Sequence, residues 1–426
     1  MLDRRSSTLL TVLLFVSASA FVEELDDSFM ERKGAEDIWL IKFYAPWCTF
    51  CKQLDPVWHQ IGSELRSLGS PIQVGKSDAT ASPGLAKEFR IRGYPAILML
   101  KKDVTYNYLG PRTKDGIMDF ADRVAGPLIR SLTSLQLFQH AMSRHDVMFV
   151  YVGATSQLKT NYTSAAETLI IGTYFFSATR DVLPKAVSLA SLPAVVVFKD
   201  GTYFTYSEEH DGDLTAWINT ERFPTFSQID SYTLYAMGDS GKLVLLAMLE
   251  QKHLWDQSLR CKSLVEGVAA EHRDTYRSFY FGFMEDSSYI NGLVMDDIIL
   301  PSFIIVNLSN DGYFLPLGAV ETEQQLLDFM DGVLDGSVEI QGGNGVSQRI
   351  RRFVYDTKVT LMPIFTKAPL FGCFLLGVPL SIGVFLCYLC CKRRSSVDDD
   401  DDDDDDVALI ATLSQRRKKS GNKKSD

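Results

Sequence analysis

The stretch "IWLIKFYAPWCTFCKQLDP" (38–56) places two cysteines, Cys48 and Cys51, directly after a nearly continuous apolar run. The run Ile38–Tyr44 contains β-branched and aromatic residues, which is typical of a strand buried on both faces. Beyond Cys48 the apolar residues take helical spacing, at Cys51, Leu54, Trp58, Ile61 and Leu65. The sequence therefore predicts a strand and a helix, with the cysteine pair at their junction.

The same alternation continues downstream. Three segments predict strands, "PIQVGKSDA" (71–79), "YPAILML" (94–100) and "TYNYLG" (105–110). A short helix is predicted for "GLAKEFRI" (84–91), and a longer one from about Thr113 to Val124. Strands that alternate with helices indicate an α/β sheet with helices on its faces.

A pattern of a proline, an apolar strand, a turn, a second strand and a helix recurs three times along the chain, about 100 residues apart. The copies contain "GYPAILML" (93–100), "SLPAVVVFKDGTYFTY" (191–206) and "ILPSFIIVNLSNDGYFLPL" (299–317), with Pro95, Pro193 and Pro301 in matching places. The Asp-Gly turn of the later copies is a strong hairpin signal. We interpret the pattern as an internal repeat of one domain, of which only the first copy carries the cysteine pair.

Composition excludes several classes of protein. The 426 residues have room for about three domains. The formal net charge of −11 argues against a nucleic-acid partner, because such proteins need a basic face to neutralise phosphates. Seven cysteines in 426 residues are too few for a fold that depends on many disulfide bonds. Outside the pair, Cys261 is predicted to be a buried free thiol, and the others lie in or beside an apolar C-terminal segment: Cys373, Cys387, Cys390 and Cys391.

Two segments predict that the chain enters a membrane. Residues 1–20 combine arginines, an apolar run and small residues, which indicates a signal peptide cut near Ala20; an uncleaved anchor is disfavoured because the run is too short to span. Residues 368–391 carry no charge and would reach about 36 Å as a helix, enough to cross a bilayer core of about 30 Å. Basic residues 392–394 follow and mark the cytosolic side, so we expect a single pass with the N-terminus outside.

The region after this span, 392–426, is predicted to be a disordered cytosolic tail, because successive aspartates at 398–406 repel one another. Lys423 and Lys424, fourth and third from the C-terminal end, resemble a dilysine signal read by a retrieval coat of the endoplasmic reticulum; a random basic end is the alternative. The juxtamembrane cysteines 390 and 391 are either palmitoylation sites or unmodified residues without a specific role.

Two further features belong to the region before the span. The sequons "NYT" at Asn161 and "NLS" at Asn307 predict glycosylation, and Asn307 is the weaker site because it ends a predicted strand. Residues 338–367 read as a basic juxtamembrane linker or helix.

The motif "FYAPWCxxC" followed by "GYPAI" resembles the thioredoxin fold in its protein disulfide isomerase form. "YNYLGPRTKD", the three repeats and the single anchor are similar to the thioredoxin-related transmembrane proteins of that family. The resemblance implies tandem thioredoxin-like domains in an a–b–b′ order: a redox domain at 21–128 and two inactive domains at 129–225 and 226–337. It implies no metal and no bound cofactor.

The resemblance and the physical chemistry of the junction together suggest roles for individual residues. A cysteine at a helix N-terminus is favoured as a thiolate, so Cys48 is the expected nucleophile and Cys51 the resolving thiol. A zinc site would need two more ligands, and the sequence offers no second CxxC or suitable histidine pair. The resemblance implies that Pro95 is a cis-proline facing the dithiol, and that Arg112 either swings toward the resolving thiol or is simply a solvated charge.

Two positions depart from the family pattern. The histidine that usually precedes the second cysteine, and favours the thiolate, is replaced by Phe50. The buried acid six residues before the first cysteine is replaced by Lys42, which is either buried with a lowered pKa or extended to the surface. Both departures remove side chains that would assist the cysteines, one by stabilising the thiolate and the other by transferring a proton. They predict a dithiol of low reactivity.

The combined expectation is a thiol–disulfide oxidoreductase of the endoplasmic reticulum membrane, with its N-terminus in the lumen, which acts on folding secretory proteins through mixed disulfides. The alternative is a largely non-catalytic protein that binds clients through its inactive domains or serves as an adaptor.

Overall fold

The structure is a computed structural model that describes residues 21–250, 256–370, 374 and 377–389. The chain divides into two compact units, one that ends at Asn344 and one that begins at Gly345. The predicted signal peptide and the predicted tail, including Lys423 and Lys424, lie outside the described residues.

The first unit begins with a five-stranded sheet whose strand order is β1-β3-β2-β4-β5. Its strands are β1 (Glu23–Glu24), β2 (Ile38–Tyr44), β3 (Ile72–Asp78), β4 (Ala96–Lys101) and β5 (Val104–Tyr108). Its helices are α1 (Phe29–Arg32), α2 (Thr49–Ser67), α3 (Pro83–Glu88) and α4 (Lys114–Ala125). Strand β2 has the bounds that its apolar run predicts, and helices cover both faces of it, which is why residues 39–43 are all buried.

A second sheet has the order β10-β9-β7-β8-β6. Its strands are β6 (Arg130–Leu132), β7 (Val147–Val152), β8 (Phe175–Ala178), β9 (Ala194–Lys199) and β10 (Thr202–Thr205). Its helices are α5 (Leu135–Arg144), α6 (Gln157–Leu169), α7 (Glu208–Asp211) and α8 (Leu214–Glu221). The predicted hairpin turn is present between β9 and β10, where Asp200 and Gly201 both have positive φ, 53° and 70°.

A third, six-stranded sheet has the order β11-β13-β12-β14-β15-β16. Its strands are β11 (Phe226–Gln228), β12 (Leu243–Met248), β13 (Phe279–Met284), β14 (Ser302–Asn307), β15 (Gly312–Phe314) and β16 (Gln341–Gly342). Its helices are α9 (Ser231–Gly238), α10 (Asp256–Glu271), α11 (Ser288–Val294) and α12 (Glu323–Leu334). Strand β16 pairs with β15, so this sheet extends past the predicted boundary at 337.

The three sheets share one topology. In each, a central strand pairs in parallel with the strand that follows it through a helix and antiparallel with the next one: β2 with β3 and β4, β7 with β8 and β9, β12 with β13 and β14. The shared topology agrees with the internal repeat seen in the sequence, although the pairing of the central strand was not predicted, and the prediction of tandem thioredoxin-like α/β domains is confirmed. The exact domain boundaries remain predictions.

The second unit contains helix α13 (Val346–Lys367), which falls within the segment predicted as a linker or helix. Apolar side chains such as Phe353 and Met362 are exposed on it. Among the residues that the structure describes, no helix combines the length and the apolar character needed to cross a membrane. Several residues of the predicted span, 371–373, 375–376 and 390–391, are outside the described set, so the span remains a prediction.

Candidate active site

The cysteine pair lies at the junction of β2 and α2, as the sequence predicts. Cys48 is the N-cap of α2, and its Sγ accepts a hydrogen bond from the backbone N–H of Cys51 at 3.2 Å. The two sulfurs form a disulfide in this structure. The free N–H groups and dipole of the first turn therefore point at the Cys48 sulfur, which is the geometry that stabilises a thiolate once the pair is reduced.

Both cysteines are largely covered in the oxidised pair. Cys48 is 6 % exposed and Cys51 is 2 % exposed. Cys48 is thus less accessible than a freely exposed nucleophile. Of the two, it is nevertheless the sulfur nearer the surface, because it precedes the helix whereas Cys51 is packed one turn inside it.

The loop that holds Pro95 lies against this pair. The Tyr94–Pro95 peptide bond is cis, and the Leu192–Pro193 and Leu300–Pro301 bonds of the other sheets are cis too. Tyr94 packs against the cluster formed by Ala45, Cys48 and Cys51. A group bound to Cys48 would therefore lie beside the backbone of this loop.

Arg112 is exposed, and its guanidinium Nη2 donates a hydrogen bond to the carbonyl oxygen of Pro95 at 3.3 Å. It belongs to the walls of a cleft of about 920 Å³ beside the cis-proline, together with Arg90, Arg92 and Leu109. The structure thus places Arg112 at the proline loop. Its predicted effect on the pKa of the resolving thiol remains a prediction.

Lys42 is the most informative departure from the family pattern. Its side chain is fully buried, so of the two alternatives left by the sequence the buried one is correct. Its Nζ forms an ion pair with the carboxylate of Asp55 on α2 and lies 5.6 Å from the ring of Trp58 and 5.7 Å from that of Tyr44. Burial lowers the pKa of Lys42, and the Asp55 carboxylate opposes this shift.

Sequence reasoning missed Asp55. A signal was present, because Asp55 follows Cys51 by four residues on the same helix and so lies on the same face. A lysine in a strand buried on both faces also requires a counter-charge. In this site the cation is therefore on β2 and the carboxylate is on α2, whereas the family pattern has an acid at the strand position.

An aromatic rim surrounds the cysteine pair. Phe50 is 66 % exposed and Trp47 is 71 % exposed, and the Trp47 ring contacts that of Tyr94 edge-on, with 6.0 Å between the ring centroids. Large exposed aromatic side chains grouped around a reactive sulfur offer apolar contacts to an incoming polypeptide. Phe50, which stands where the family pattern has a histidine, therefore contributes directly to this exposed surface.

The second sheet shows what an inactive copy of this junction looks like. There the N-cap of the matching helix α6 is Ser156, whose hydroxyl accepts a hydrogen bond from the N–H of Lys159 at 3.2 Å. The N-cap hydrogen bond of α6 has the same geometry as that of α2, but the accepting group is a hydroxyl and not a thiol. In the third sheet the corresponding segment, 251–255, lies outside the described residues, and its sequence, QKHLW, contains no cysteine.

The predicted glycosylation sites differ in setting. Asn161 is exposed on α6, where its Oδ1 accepts a hydrogen bond from Gln157 at 3.1 Å. Asn307 is the half-buried last residue of β14, and its Oδ1 accepts one from the N–H of Ser309 at 3.1 Å. Both remain predictions, and the lower accessibility of Asn307 agrees with its being the weaker site.

Two other groups of reactive side chains lie away from the cysteine pair. Cys261 is a half-buried free thiol whose pKa is raised by burial, which makes it a poor nucleophile. Within the described ranges, one set of side chains converges as metal ligands would: Glu271, His272 and Glu323, of which both glutamates are exposed. His272 and Glu323 already contact each other at 3.1 Å, and nothing further indicates an ion there.

Comparisons with known proteins agree with this geometry. Residues 14–123 match the model of the thioredoxin family, and residues 153–332 match that of a thioredoxin-like domain. The chain is 50 % identical to protein disulfide-isomerase TMX3 of Xenopus laevis, over 89 % of this chain and 84 % of that protein. It is 49 % identical to the human protein disulfide-isomerase TMX3, over 88 % of this chain and 83 % of that protein. It is also 36 % identical to human protein disulfide-isomerase A4 over 34 % of this chain and 23 % of that protein.

Proposed function

Since this chain belongs to the thioredoxin-related transmembrane branch of the protein disulfide isomerase family, with protein disulfide-isomerase TMX3 as its relative, we propose that it exchanges disulfides with folding secretory proteins. The observation that carries the proposal is the placement of Cys48 as the N-cap of α2, with the N–H of Cys51 donating to its sulfur. Catalysis by this pair requires no metal or bound cofactor.

The exchange runs through a mixed disulfide. With the pair reduced, the Cys48 thiolate attacks one sulfur of a client disulfide, a Cys48–client bond forms, and the other client sulfur leaves as a thiolate that takes up a proton. Cys51, once deprotonated, then attacks the Cys48 sulfur and releases the second client thiol. Two electrons pass to the client and the Cys48–Cys51 disulfide remains; the reverse sequence oxidises a client dithiol.

The Lys42–Asp55 pair has a defined place in this scheme. Because Asp55 offsets the charge of Lys42, the pair is close to neutral overall and does not strongly favour a thiolate at either cysteine. Asp55, which is 44 % exposed at the side chain, is the group of the two that solvent reaches. We assign to it the transfer of a proton between Cys51 and water, which is the task that the family gives to a buried acid on the strand.

We place this activity in the lumen of the endoplasmic reticulum. The predicted signal peptide at 1–20, the predicted membrane span at 368–391 and the predicted dilysine signal at Lys423 and Lys424 support that location. Glycosylation at Asn161 and at Asn307 fits the same topology.

A second candidate is a client-binding or adaptor protein whose redox site is weak. The exposed Phe50 and Trp47 favour it, because they supply binding surface whether or not the sulfurs react. The two candidates differ in whether binding depends on the cysteines.

Trapping experiments separate these two candidates. In cells that express the full-length chain, Cys51→Ala is expected to accumulate mixed disulfides with clients, seen as complexes that a reductant dissolves on non-reducing gels. Cys48→Ala is expected to lose them, since it lacks the attacking sulfur. Equal client recovery from both variants and the wild type, with no reductant-sensitive complexes, would favour the adaptor and contradict the oxidoreductase.

A further inference from the structure

A large cleft lies far along the chain from the cysteine pair, between the second and third sheets. Its volume is about 940 Å³, within the range of pockets that hold ligands. One wall comes from the end of β9, from β10 and from α8; the other comes from the residue before β12 and from the segment that leads into β13. Neither wall contains a cysteine.

One carboxylate in this cleft serves two cations. Glu221 Oε2 pairs with Lys199 Nζ at 2.8 Å and with Arg273 Nη2 at 2.7 Å. The guanidinium of Arg273 also lies 3.6 Å from the centre of the Phe204 ring. Lys199 is otherwise satisfied, because it donates to the carbonyl oxygens of Glu221 and Phe223. Only one hydrogen bond of the Arg273 guanidinium, to Glu221, is made in the described part of the chain, so further donors of this group remain for a ligand.

A third cation in the same cleft has no carboxylate of its own. Among the described residues, Lys242 makes no salt bridge, and its Nζ rests over the ring of Tyr280 at 5.0 Å. Burial lowers the pKa of Lys242, and the positive charges of Lys199 and Arg273 lower it further, with only Glu221 opposing. Such an arrangement is unfavourable for the protein alone and becomes favourable when an anion enters.

The remaining charges on the walls do not change this balance. Arg277 adds another cation and pairs with Asp274 at 3.0 Å on the surface. Asp211 is the other acid on the walls, and its carboxylate accepts a hydrogen bond from the N–H of Ser207 at 2.9 Å. Lys199, Lys242 and Arg273 thus give the cleft an excess of positive charge, although the chain as a whole has a formal net charge of −11.

We propose that this cleft binds an acidic polypeptide segment, with a carboxylate of the segment between Lys242 and Arg273 and a neighbouring aromatic side chain against Phe204 and Phe223. The volume admits several residues of a peptide, and the aromatic walls favour a ligand with apolar groups beside its charge. Binding here does not use the sulfurs, so it holds whether or not the proposed oxidoreductase function is correct.

The first test measures affinity for a defined probe. A fluorescein-labelled decapeptide of alternating glutamate and phenylalanine is titrated with the full-length chain and followed by anisotropy. Lys242→Met is expected to weaken binding about tenfold, as loss of one charge-assisted contact does. Lys242→Arg is expected to keep most of the affinity, and Lys102→Met, which removes an exposed lysine elsewhere, to keep all of it.

Two further arms identify the ligand. Replacing the glutamates of the probe by glutamine is expected to abolish binding, and the same probe is expected to bind a Cys48→Ser variant as it binds the wild type. 3-Phenylpropionate, a small aromatic carboxylate, is expected to compete only at concentrations far above those of the peptide. Competition by it at equal concentration would overturn the choice of a polypeptide, and equal binding of the glutamine probe would overturn the anionic site.

A measurement on the wild type needs no variant to fold. Acetylation with a lysine-reactive ester, read by mass spectrometry, is expected to label Lys242 less when the acidic probe is present and to label Lys102 equally with and without it. Unchanged labelling of Lys242 would overturn the proposal.

Discussion

The buried charge of Lys42 requires a specific partner in the fold. A buried ammonium loses its hydration, so it needs a counter-charge, and Asp55 provides it from the next element. The two partners are not equivalent, because the Lys42 side chain is fully buried whereas that of Asp55 is 44 % exposed. An isolated Asp55 would be hydrated; an isolated Lys42 would not.

This asymmetry predicts that removing Asp55 lowers the stability of the fold whereas removing the charge of Lys42 does not. Asp55→Ala is expected to lower the free energy of unfolding by about 1–3 kcal/mol, toward the lower end because water screens a half-exposed partner. Lys42→Met is expected to be neutral or stabilising, and Lys42→Met combined with Asp55→Ala to recover most of the loss. Urea unfolding of the full-length chain at pH 7 measures each variant, and equal destabilisation by both single changes would contradict the asymmetry.

The same pair predicts a pH dependence. The pKa of Lys42 in the folded chain is below its ordinary value of 10.5, so charging this lysine opposes folding at any pH below the folded pKa. The penalty is lost as pH rises toward 10.5, where the unfolded lysine also becomes neutral. The stability deficit of Asp55→Ala is therefore expected to be smaller at pH 9.5 than at pH 7, and a deficit that grows with pH would contradict the sign.

Phe50 is the other residue at which the redox site departs from the family pattern. A histidine there, once protonated, would stabilise the Cys48 thiolate and hence the reduced form. Phe50→His is expected to raise the reduction potential by about 30 mV, which corresponds to about 1.4 kcal/mol for two electrons. Equilibration of the full-length chain with glutathione measures it, with Leu109→His as the control for an added histidine on the same surface. A wild type that already has the potential of the Phe50→His variant would show that the pair needs no such support.

At the scale of elements, the junction of β2 and α2 determines which sulfur reacts. Cys48 precedes the first turn of α2 and receives the N–H of Cys51, whereas Cys51 lies inside the helix and is packed against the core. Iodoacetamide is therefore expected to label Cys48 of the reduced chain much faster than Cys51 at neutral pH, because the thiolate is the reacting species. Equal rates, read by mass spectrometry, would contradict the assigned roles.

Elements were predictable where a local rule determines them. The apolar run of β2 and the Asp-Gly turn after β9 are found where the sequence places them, since strand burial and turn chemistry depend on neighbouring residues. Strand β16 was missed because a two-residue strand has no periodicity and forms only by pairing with β15. The Lys42–Asp55 pair left a signal in the position of Asp55 on the same helix face as Cys51, but that contact, between residues 13 positions apart, also depends on how β2 and α2 pack.

At the scale of the whole molecule, the family and the tandem fold predicted from the motif and the repeat are confirmed. What the sequence did not predict is how the domains meet. The first two sheets are joined by Arg123 of α4, whose guanidinium donates to the carbonyl oxygens of Ile170 and Ile171. The second and third are joined by Glu221 and Arg273. None of these contacts leaves a local pattern in the sequence, because Arg123, Glu221 and Arg273 each look like ordinary surface charges and a backbone carbonyl acceptor such as that of Ile171 carries no sequence signal.

The Glu221 contact predicts how the junction of the second and third sheets responds to pH. Burial by itself would raise the pKa of Glu221, but Lys199 and Arg273 outweigh it and hold that pKa below the ordinary value of 4.5. A carboxylate with a depressed folded pKa contributes stability that is fully present above its unfolded pKa and is lost as pH falls through the folded one. Glu221→Gln is therefore expected to destabilise the chain by about 3 kcal/mol at pH 7, because it leaves the buried Lys199 and the half-buried Arg273 without their carboxylate partner.

The difference between the wild type and Glu221→Gln is expected to be the same at pH 7 and pH 5.5 and to shrink below pH 4.5, as Glu221 becomes protonated and resembles glutamine. Urea midpoints followed by tryptophan fluorescence measure it at each pH. Glu36→Gln is the matched control, because Glu36 pairs with Lys102 on the surface at 3.4 Å and its loss should leave the midpoint unchanged. If the loss of stability caused by Glu221→Gln is as large at pH 3.5 as at pH 7, the charge of Glu221 is not what stabilises the junction of the two sheets. The shape of the side chain would then be responsible, because the effect of the substitution would not depend on whether Glu221 is protonated.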